Sequence, residues 1–143
     1  MGVSAYLNFA GNCREAVEFY AKVFGSPAPR IMSYGDAPPD PAFPLDEATK
    51  KLVMHAEVEV AGTTLMFSDL PAGRKVVVGD NVNLIVQSAS SDDITRWFDA
   101  LKAGGKIVME LGPQFWTGLY GFVYDKFGIG WQLGLPERSR GAG

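Results

Sequence analysis

Hydrophobic and polar positions along the chain follow two periods, and both halves of the chain repeat the same order of periods. A short alternating stretch at 4–9 is followed by apolar residues at helical spacing around Phe19–Tyr20, and then by further strand-like stretches. The same order returns from 81–87, through a helical stretch around Trp97–Phe98, to a last strand at 128–135. Because strands alternate with period 2 and helices with period 3.6, the pattern predicts a duplicated βαβββ unit.

This repeat predicts an α+β fold, with two βαβββ modules forming a curved, mixed eight-stranded sheet with a cleft. The chain has 143 residues, 47% of them hydrophobic, which is enough for the core of one domain. We expect a single domain over 1–143, with the first module at 1–70 and the second at 79–136. Strands are predicted at 4–9, 29–34, 52–60, 63–69, 81–87, 106–111, 119–125 and 128–135.

Both predicted helices carry signals at their ends. Asn12 with Glu15 three residues later resembles a capping box at the start of the first helix, and Gly25 is typical of a helix end. The polar run Ser90–Asp93 favours the N-terminus of the second helix, and Gly104–Gly105 its end.

Turn residues punctuate the predicted strands at matching points of the two modules. Ala61–Gly62 and Phe127–Gly128 are predicted to close β-hairpins. The modules differ most at 35–47, where four prolines exclude a central strand. A long proline-rich excursion is commonly a lid, a partner contact or a mobile segment, and we favour a flap over the cleft.

Alternation also separates a helix-covered strand face from an open face. The open face is predicted to carry a phenol, amides, an imidazole, a carboxylate and further aromatic rings: Tyr6, Asn8, His55, Glu57, Asn81, Asn83, Tyr120, Phe122, Tyr124 and Gln132. For the strand at 63–69 both faces are mostly apolar, so its orientation stays open. A solvated antiparallel face is one interpretation. The aromatic and amide content favours a ligand cavity.

Charge and cysteine content narrow the classes of partner. A net charge of −3 argues against nucleic acid or an anionic membrane, which attract clusters of Lys and Arg. The single cysteine, Cys13, excludes an intrachain disulfide, and no apolar run approaches membrane-spanning length. No signal-like segment opens the sequence, so we expect a cytoplasmic protein.

Motifs over nearly the whole chain resemble one known family. They are Tyr6-Leu7-Asn8-Phe9, Gly11-Asn12, Ala16-Val17-Glu18-Phe19-Tyr20, Val23-Phe24-Gly25, His55-Ala56-Glu57, Leu65-Met66-Phe67-Ser68-Asp69, Gly79-Asp80-Asn81-Val82, Phe115-Trp116, Tyr120-Gly121, Asp125-Lys126-Phe127-Gly128 and Trp131. Together with the duplicated plan they resemble the vicinal oxygen chelate superfamily, which includes glyoxalase I, extradiol dioxygenases, and fosfomycin and bleomycin resistance proteins. Within it, the motifs are most similar to the PhnB-like (demethylubiquinone methyltransferase-like) subgroup. No glycine-rich loop for a methyl donor follows a strand, so the methyltransferase label gains no support.

The resemblance implies four positions for a divalent metal, on the first and last strand of each module. By motif register they fall at Tyr6, Phe67, Asn81 and Gln132. Catalytic metals of this class prefer imidazole and carboxylate ligands, whereas this set offers a phenol, a phenyl ring and two amides. His55 is the only histidine, so a two-histidine, one-carboxylate triad cannot form within one chain. We therefore expect no metal or other cofactor, while a metal shared across a dimer stays open.

Four other side chains have a chemical and a structural interpretation each. Trp116 and Tyr120, after a Gly112–Pro113 break, could stack on a planar ligand or pack in the core. Cys13 lies near a helix N-terminus, which favours a thiolate, but a small buried residue is the commoner case. Asp69 could bind a polar ligand group, although a turn-capping role is commoner.

The preferred function is binding of a small organic molecule without a metal. Its alternatives are a metal-dependent glyoxalase-type lyase, isomerase or dioxygenase, and a purely structural role in dimerisation. A homodimer is expected because an open sheet leaves edges that need cover. No residue is assigned a catalytic role. The residues predicted to bind the ligand are Tyr6, Asn8, His55, Glu57, Phe67, Asn81, Asn83, Trp116, Tyr120 and Gln132.

Overall fold

The computed structural model describes residues 2–71 and 73–138, which divide into two compact units, one ending at Val77 and one beginning at Val78. The elements of unit 1 are β1 (Tyr6–Phe9), α1 (Cys13–Phe24), β2 (Arg30–Ser33), a 3-10 turn (Tyr34–Asp36), α2 (Glu47–Lys50), β3 (Val53–Val60) and β4 (Thr63–Asp69). Those of unit 2 are β5 (Leu84–Gln87), α3 (Ser91–Leu101), β6 (Lys106–Gln114), β7 (Thr117–Tyr124) and β8 (Gly130–Gly134).

Unit 1 packs α1 against one face of a four-stranded sheet with the order β1-β4-β3-β2. β1 is parallel to β4, and the other neighbours are antiparallel. The helix buries Ala16, Val17 and Tyr20 completely, and the Tyr20 ring stacks on Phe67 with 5.7 Å between centroids. Each large apolar side chain removed from water in this way contributes about 1.5–3 kcal/mol, so this face holds the unit together.

Unit 2 repeats the arrangement with the order β5-β8-β7-β6 and α3 on one face. α3 buries Ile94, Phe98 and Leu101. The Phe98 ring packs directly against the backbone of Gly121, where an added Cβ would lie 2.8 Å from Cε2 of the ring. Glycine is therefore required at this point for steric reasons.

These elements confirm the α+β class and the two βαβββ modules. Among the described residues all eight predicted strands are present, and they are divided between two four-stranded sheets, one in each unit. The break predicted at Gly112–Pro113 is wrong, because β6 continues to Gln114. Pro113 is compatible with a strand here since β6 is the edge of its sheet, where a missing N–H is tolerated.

α3 ends at Leu101, with Lys102 as its C-cap, before the predicted Gly104–Gly105. The other helix ends agree with the predictions except at Asn12. Its side chain makes no capping hydrogen bond, and the Asp69 carboxylate accepts from the Cys13 N–H in its place. The helix ends at Phe24, and Gly25 follows in the left-handed conformation with φ 61°. At α3, the Ser90 hydroxyl accepts from the Asp93 N–H at 3.1 Å, as an N-cap does.

The two predicted hairpin turns have different geometries. Ala61 and Gly62 join β3 to β4 with φ of 47° and 88°, which is the positive region that two-residue hairpins require. Between β7 and β8 the buried Asp125 carboxylate organises a longer turn. Its Oδ1 accepts from the N–H groups of Phe127 and Ile129, and its Oδ2 from the Trp131 indole.

The proline-rich segment 35–47 lies between the 3-10 turn and α2 without a strand of its own. Asp46 caps α2 by accepting from the Thr49 N–H at 2.7 Å. Hydrogen bonds from the Thr49 side chain and from its N–H hold the pKa of Asp46 below its usual value. The role of the proline-rich segment 35–47 as a flap stays a prediction. Within residues 2–71 and 73–138, none of the helices combines the length and the apolar composition needed to cross a membrane.

Candidate functional site

Unit 1 presents an open sheet face whose side chains alternate with the buried ones. On β1, Leu7 and Phe9 are buried, whereas Tyr6 is 46% exposed. Strand register places Tyr6 beside Met66 of β4, Met66 beside Glu57 of β3, and Glu57 beside Arg30 of β2. One row of side chains therefore crosses the sheet from β1 to β2.

A chain of polar contacts runs along this face. The Tyr6 hydroxyl lies 3.1 Å from Nδ1 of His55, and Nε2 of His55 lies 3.6 Å from Oε1 of Glu57. The other Glu57 oxygen is 3.3 Å from the Arg30 guanidinium. In the tautomer with its proton on Nε2, facing the carboxylate, the Nδ1 atom would accept from the phenol. The structure thus brings Tyr6, His55 and Glu57 together.

Asn8 lies on the same face, next to the end of β4. Its Oδ1 accepts from the Ser68 hydroxyl at 2.9 Å. Asp69, the following residue, belongs to the opposite face and is 1% exposed. Its carboxylate accepts from the N–H groups of Gly11, Cys13 and Val53, a structural role that leaves no surface for a ligand.

Phe67 is not on the open face, so its prediction as a ligand-binding residue is wrong. It is fully buried between Tyr20 and Phe9 on the face covered by α1. The residue of β4 that lies beside Tyr6 is Met66. Because successive strand residues point to opposite faces, this difference of one position moves the side chain from the open face into the core.

Unit 2 presents an open face that is richer in aromatic rings. Gln132 of β8 lies beside Ile85 of β5 and Phe122 of β7. Tyr120 lies two residues before Phe122 on β7, and its hydroxyl donates to Oε1 of Gln132 at 2.7 Å. Burial raises the pKa of Tyr120 above its usual value.

Trp116 extends this aromatic group from the turn between β6 and β7. Its ring lies 5.4 Å from Tyr120 and 4.9 Å from Phe115, both in edge-on arrangements. Phe122 and Tyr124 form a further pair at 5.2 Å. The structure therefore brings Trp116, Tyr120 and Gln132 together on unit 2.

Asn83 and Asn81 differ in their relation to this face. β5 begins only at Leu84, so the predicted strand start at 81 is wrong, and Asn81 lies in an exposed bend before the strand. Asn83 directly precedes β5, and its amide occupies the space above Gly130. An added Cβ at Gly130 would lie 2.5 Å from Nδ2 of Asn83. That nitrogen is buried and has no hydrogen-bond partner among the described residues.

Several residues of the two faces escaped the sequence analysis. Arg30 pairs with Glu57 only through the register of β2 on β3, which a single sequence does not reveal. Met66 was not predicted to lie on the open face, because both faces of its strand, β4, are mostly apolar. Gly130 and Gly134, two residues either side of Gln132, could have been noticed as glycines inside a strand, which often mark a close approach of other groups.

A further cavity lies elsewhere in unit 1. It has a volume of about 480 Å³ and is formed by the proline-rich segment itself, with Pro38, Pro41, Phe43 and Leu45 among its lining residues. None of the ten residues predicted to bind a ligand lines this cavity. It is open and mostly apolar, and its polar lining side chains are Tyr34, Asp40 and Lys50.

The side chains present do not fit the divalent metal that the superfamily resemblance implies. Of the four implied positions, Phe67 is in the core and Asn81 lies outside its strand. Across residues 2–71 and 73–138, no three His, Cys, Asp or Glu side chains come together. Tyr6 and Gln132 alone offer a phenol and an amide, which are weak donors for transition metals.

Comparisons with known proteins agree with this architecture. Residues 3–133 match the model of the Glyoxalase/Bleomycin resistance protein/Dioxygenase superfamily. Protein YjdN of Escherichia coli is 33% identical, over 97% of this chain and 98% of that protein. The crystal structure of protein PA1353 from Pseudomonas aeruginosa has a TM-score of 0.82 at 29% identity, covering 95% of this chain and 98% of that one.

A PhnB protein from Bacillus cereus, described as a putative 3-demethylubiquinone-9 3-methyltransferase, is also similar. Its TM-score is 0.72 at 27% identity, covering 94% of this chain and 99% of that chain. The similarity to PhnB-like proteins inferred from the motifs is thereby confirmed. The chain belongs to the Glyoxalase/Bleomycin resistance protein/Dioxygenase superfamily, in which its two βαβββ units are the repeated module.

Proposed function

We propose that this protein binds a small organic molecule without a metal, on the open face of unit 2. The observation that carries the proposal is the contact of Trp116 with Tyr120 and of Tyr120 with Gln132. Aromatic rings supply apolar contact area, and a fixed amide supplies orientation, which is the usual composition of a small-molecule site. A face intended only for solvent would carry charged side chains at these positions.

The donor chemistry of the chain supports the metal-free part of this proposal. No group of three strong metal ligands forms within the described residues. Elemental analysis of protein purified without chelators tests this point. We expect no stoichiometric transition metal, and one tightly bound Zn, Ni, Mn or Fe per chain would overturn metal-free binding in favour of a metal-dependent lyase, isomerase or dioxygenase.

A thermal-shift screen with planar aromatic compounds tests the ligand-binding part. We expect some planar compounds to raise the melting temperature of the wild-type protein, because a ligand that binds the folded state stabilises it. Trp116→Ala should lose this stabilisation. Val77→Ala is the control, since Val77 is 90% exposed in unit 1 and belongs to neither open face. Equal shifts in Trp116→Ala and the control would contradict the proposal.

A second candidate function is proton transfer on the open face of unit 1. It is favoured by the sequence of contacts from Glu57 through His55 to the Tyr6 hydroxyl. A carboxylate that orients an imidazole, which in turn accepts from a hydroxyl, is a common general-base arrangement. We expect such a base to catalyse exchange of the acidic C–H protons of a ketone with deuterium in D₂O. Exchange by the wild-type protein at the rate of His55→Gln would exclude this candidate.

A further inference from the structure

The orientation of the Gln132 amide restricts the ligands that the open face of unit 2 can accept. Oε1 of Gln132 already accepts from the Tyr120 hydroxyl at 2.7 Å. Among the described residues, its Nε2 has no hydrogen-bond partner. An amide nitrogen carries two N–H donors and no lone pair for accepting. The amide nitrogen therefore offers two donors to a ligand, while one of the two lone pairs of Oε1 is already used by Tyr120.

Two glycines, Gly130 and Gly134, flank Gln132 along β8. Gly130 and Gly134 point to the same face as Gln132, because residues two apart in a strand share a face. Neither has positive φ, so glycine is not needed there for backbone conformation. An added Cβ at Gly134 would lie 3.5 Å from the Tyr120 ring, and one at Gly130 would meet the Asn83 amide. Gly130 therefore leaves room for the Asn83 side chain, and Gly134 for the backbone carbonyl of Leu119, from whose oxygen an added Cβ would lie 3.1 Å.

Asn83 adds a second amide nitrogen without a partner. Its Nδ2 is buried and unsatisfied within the described residues, and a buried donor without an acceptor costs free energy. Gln132 thus contributes a free donor to a face otherwise formed by the rings of Tyr120, Phe122 and Tyr124, whereas the Asn83 nitrogen is buried and would meet a ligand only if its side chain moved. The chemical complement is a hydrogen-bond acceptor attached to a planar apolar group.

We infer that the ligand of this protein is an aromatic carbonyl compound, with its oxygen accepting from the Gln132 amide N–H and its ring against the Tyr120–Trp116 pair. This inference rests on the proposed function and specifies its substrate class. Tyr120 acts as a positioning residue: its hydroxyl holds Oε1 of Gln132 and so turns the N–H groups toward the ligand.

Three naphthalene compounds of the same shape test the inference. 2-Acetylnaphthalene presents an acceptor, 2-ethylnaphthalene presents no polar group, and 1-(2-naphthyl)ethylammonium presents donors and a positive charge. Their dissociation constants are measured by NMR titration of the ¹⁵N-labelled full chain. For the wild-type protein we expect the ketone to bind about tenfold more tightly than the hydrocarbon, the usual effect of one hydrogen bond made in a desolvated site.

Gln132→Glu replaces the donors with a carboxylate of nearly the same shape. We expect it to weaken binding of the ketone by about tenfold or more and to strengthen binding of the ammonium compound, which reverses their order. Tyr120→Phe releases the amide to rotate, so it should reduce the preference for the ketone over the hydrocarbon. If Gln132→Glu does not fold, Gln132→Met serves instead, and it should abolish that preference without adding a charge.

The outcomes separate this inference from the proposed function. If all three compounds bind with equal affinity, or if the ketone binds Gln132→Glu as tightly as the wild-type protein, the carbonyl inference is wrong while aromatic binding stands. If none of the three binds the wild-type protein at concentrations up to their solubility, both are overturned. Loss of ketone binding in Gln132→Glu with unchanged hydrocarbon binding supports the inference directly.

Discussion

At the scale of single residues, unit 1 depends on one buried carboxylate. Asp69 is 1% exposed, and its Oδ1 accepts from the N–H groups of Gly11 and Cys13, while Oδ2 accepts from that of Val53. Its carbonyl oxygen accepts from the Tyr34 hydroxyl at 2.9 Å. One side chain thus joins the start of α1, the start of β3 and the end of β4.

Asp69→Asn tests this role. An asparagine amide has one acceptor atom, so its NH₂ group must face either the Val53 N–H or the pair from Gly11 and Cys13, and a buried donor then meets a donor. We expect the free energy of unfolding to fall by about 2 kcal/mol, as for a buried group left unsatisfied. Urea denaturation measures the change. Asp80→Asn, at an exposed position, is the control, and an equal effect of the two substitutions would contradict this role.

Cys13 offers a test based on pH. It is completely buried, and burial, followed by the negative charge of Asp69, raises the pKa of its thiol from 9.0 to about 12. Between these two values the thiol of the unfolded chain is ionised and that of the folded protein is not. Ionisation therefore favours the unfolded state, and stability is lost as the pH rises above about 9.

We expect the free energy of unfolding of the wild-type protein to fall more steeply between about pH 8 and pH 10.5 than that of Cys13→Ala, since the variant lacks the titrating thiol. Urea denaturation at both pH values measures the difference. An aromatic disulfide reagent provides a second measurement, because Cys13 is the single cysteine. Rapid reaction in the folded state at pH 8 would show that the thiol is accessible and would refute the assignment.

The limits of sequence analysis at this scale are clear from β4. Alternation placed Tyr6, Asn8, His55 and Glu57 on the open face, as the structure does. It could not orient Phe67, because the residues on both sides of that strand are largely apolar. Only packing against α1 decides between Phe67 and Met66, and packing depends on residues distant in the sequence.

At the scale of elements, the β3–β4 hairpin carries a strained residue. Ala61 has φ 47°, in the left-handed region that costs a non-glycine residue about 1 kcal/mol. Asparagine tolerates this region, and Asn-Gly is the preferred sequence for such turns. We therefore expect Ala61→Asn to raise the free energy of unfolding by about 0.5–1 kcal/mol, as measured by thermal and urea denaturation.

Ala61→Val is the matched control for the hairpin. Residue 61 is exposed, so neither substitution changes the core, and a β-branched side chain makes positive φ more costly. Stability should rank Asn, Ala and Val in descending order at this position. Any order in which valine is at least as stable as asparagine would mean that backbone strain is not what limits this turn.

Element boundaries were predicted less well than element order. The helix ends at Gly25 and Ser90 carry local signals that the structure retains. β5 begins at Leu84 and not at 81 because the chain before it bends, and β6 passes through Pro113 because its outer edge needs no N–H donor there. Both differences depend on strand neighbours, which the local sequence does not specify.

At the scale of the whole molecule, the duplicated pattern predicted the fold because in each module the helix covers the hydrophobic face of its own sheet. The same reasoning could not supply the pairings across strands. Arg30 with Glu57 and Tyr120 with Gln132 depend on register. The candidate site was therefore predicted as a set of residue types, and its division into one polar face and one aromatic face came from the structure.

The exposed apolar side chains near β5 lead to a prediction about assembly. β5 is an edge strand, and Ile85 on its open face is 59% exposed, with Val82 just before the strand 76% exposed. Apolar groups grouped at a sheet edge commonly mark an interface with another chain. We expect the protein to sediment as a homodimer at micromolar concentration, and Ile85→Lys to shift it to monomer, because burying an unpaired ammonium group in an interface is costly.

Val3→Lys is the matched control for this edge. Val3 is fully exposed outside any strand, so the same charge added there should leave the dimer intact. A wild-type protein that sediments as a monomer would refute the dimer, and a dimer that persists in Ile85→Lys would place its interface on another surface. Because residue 85 is already exposed to solvent in the single chain, loss of the dimer in this variant cannot be attributed to a damaged core, and an unchanged melting transition of the dilute monomer would establish that point.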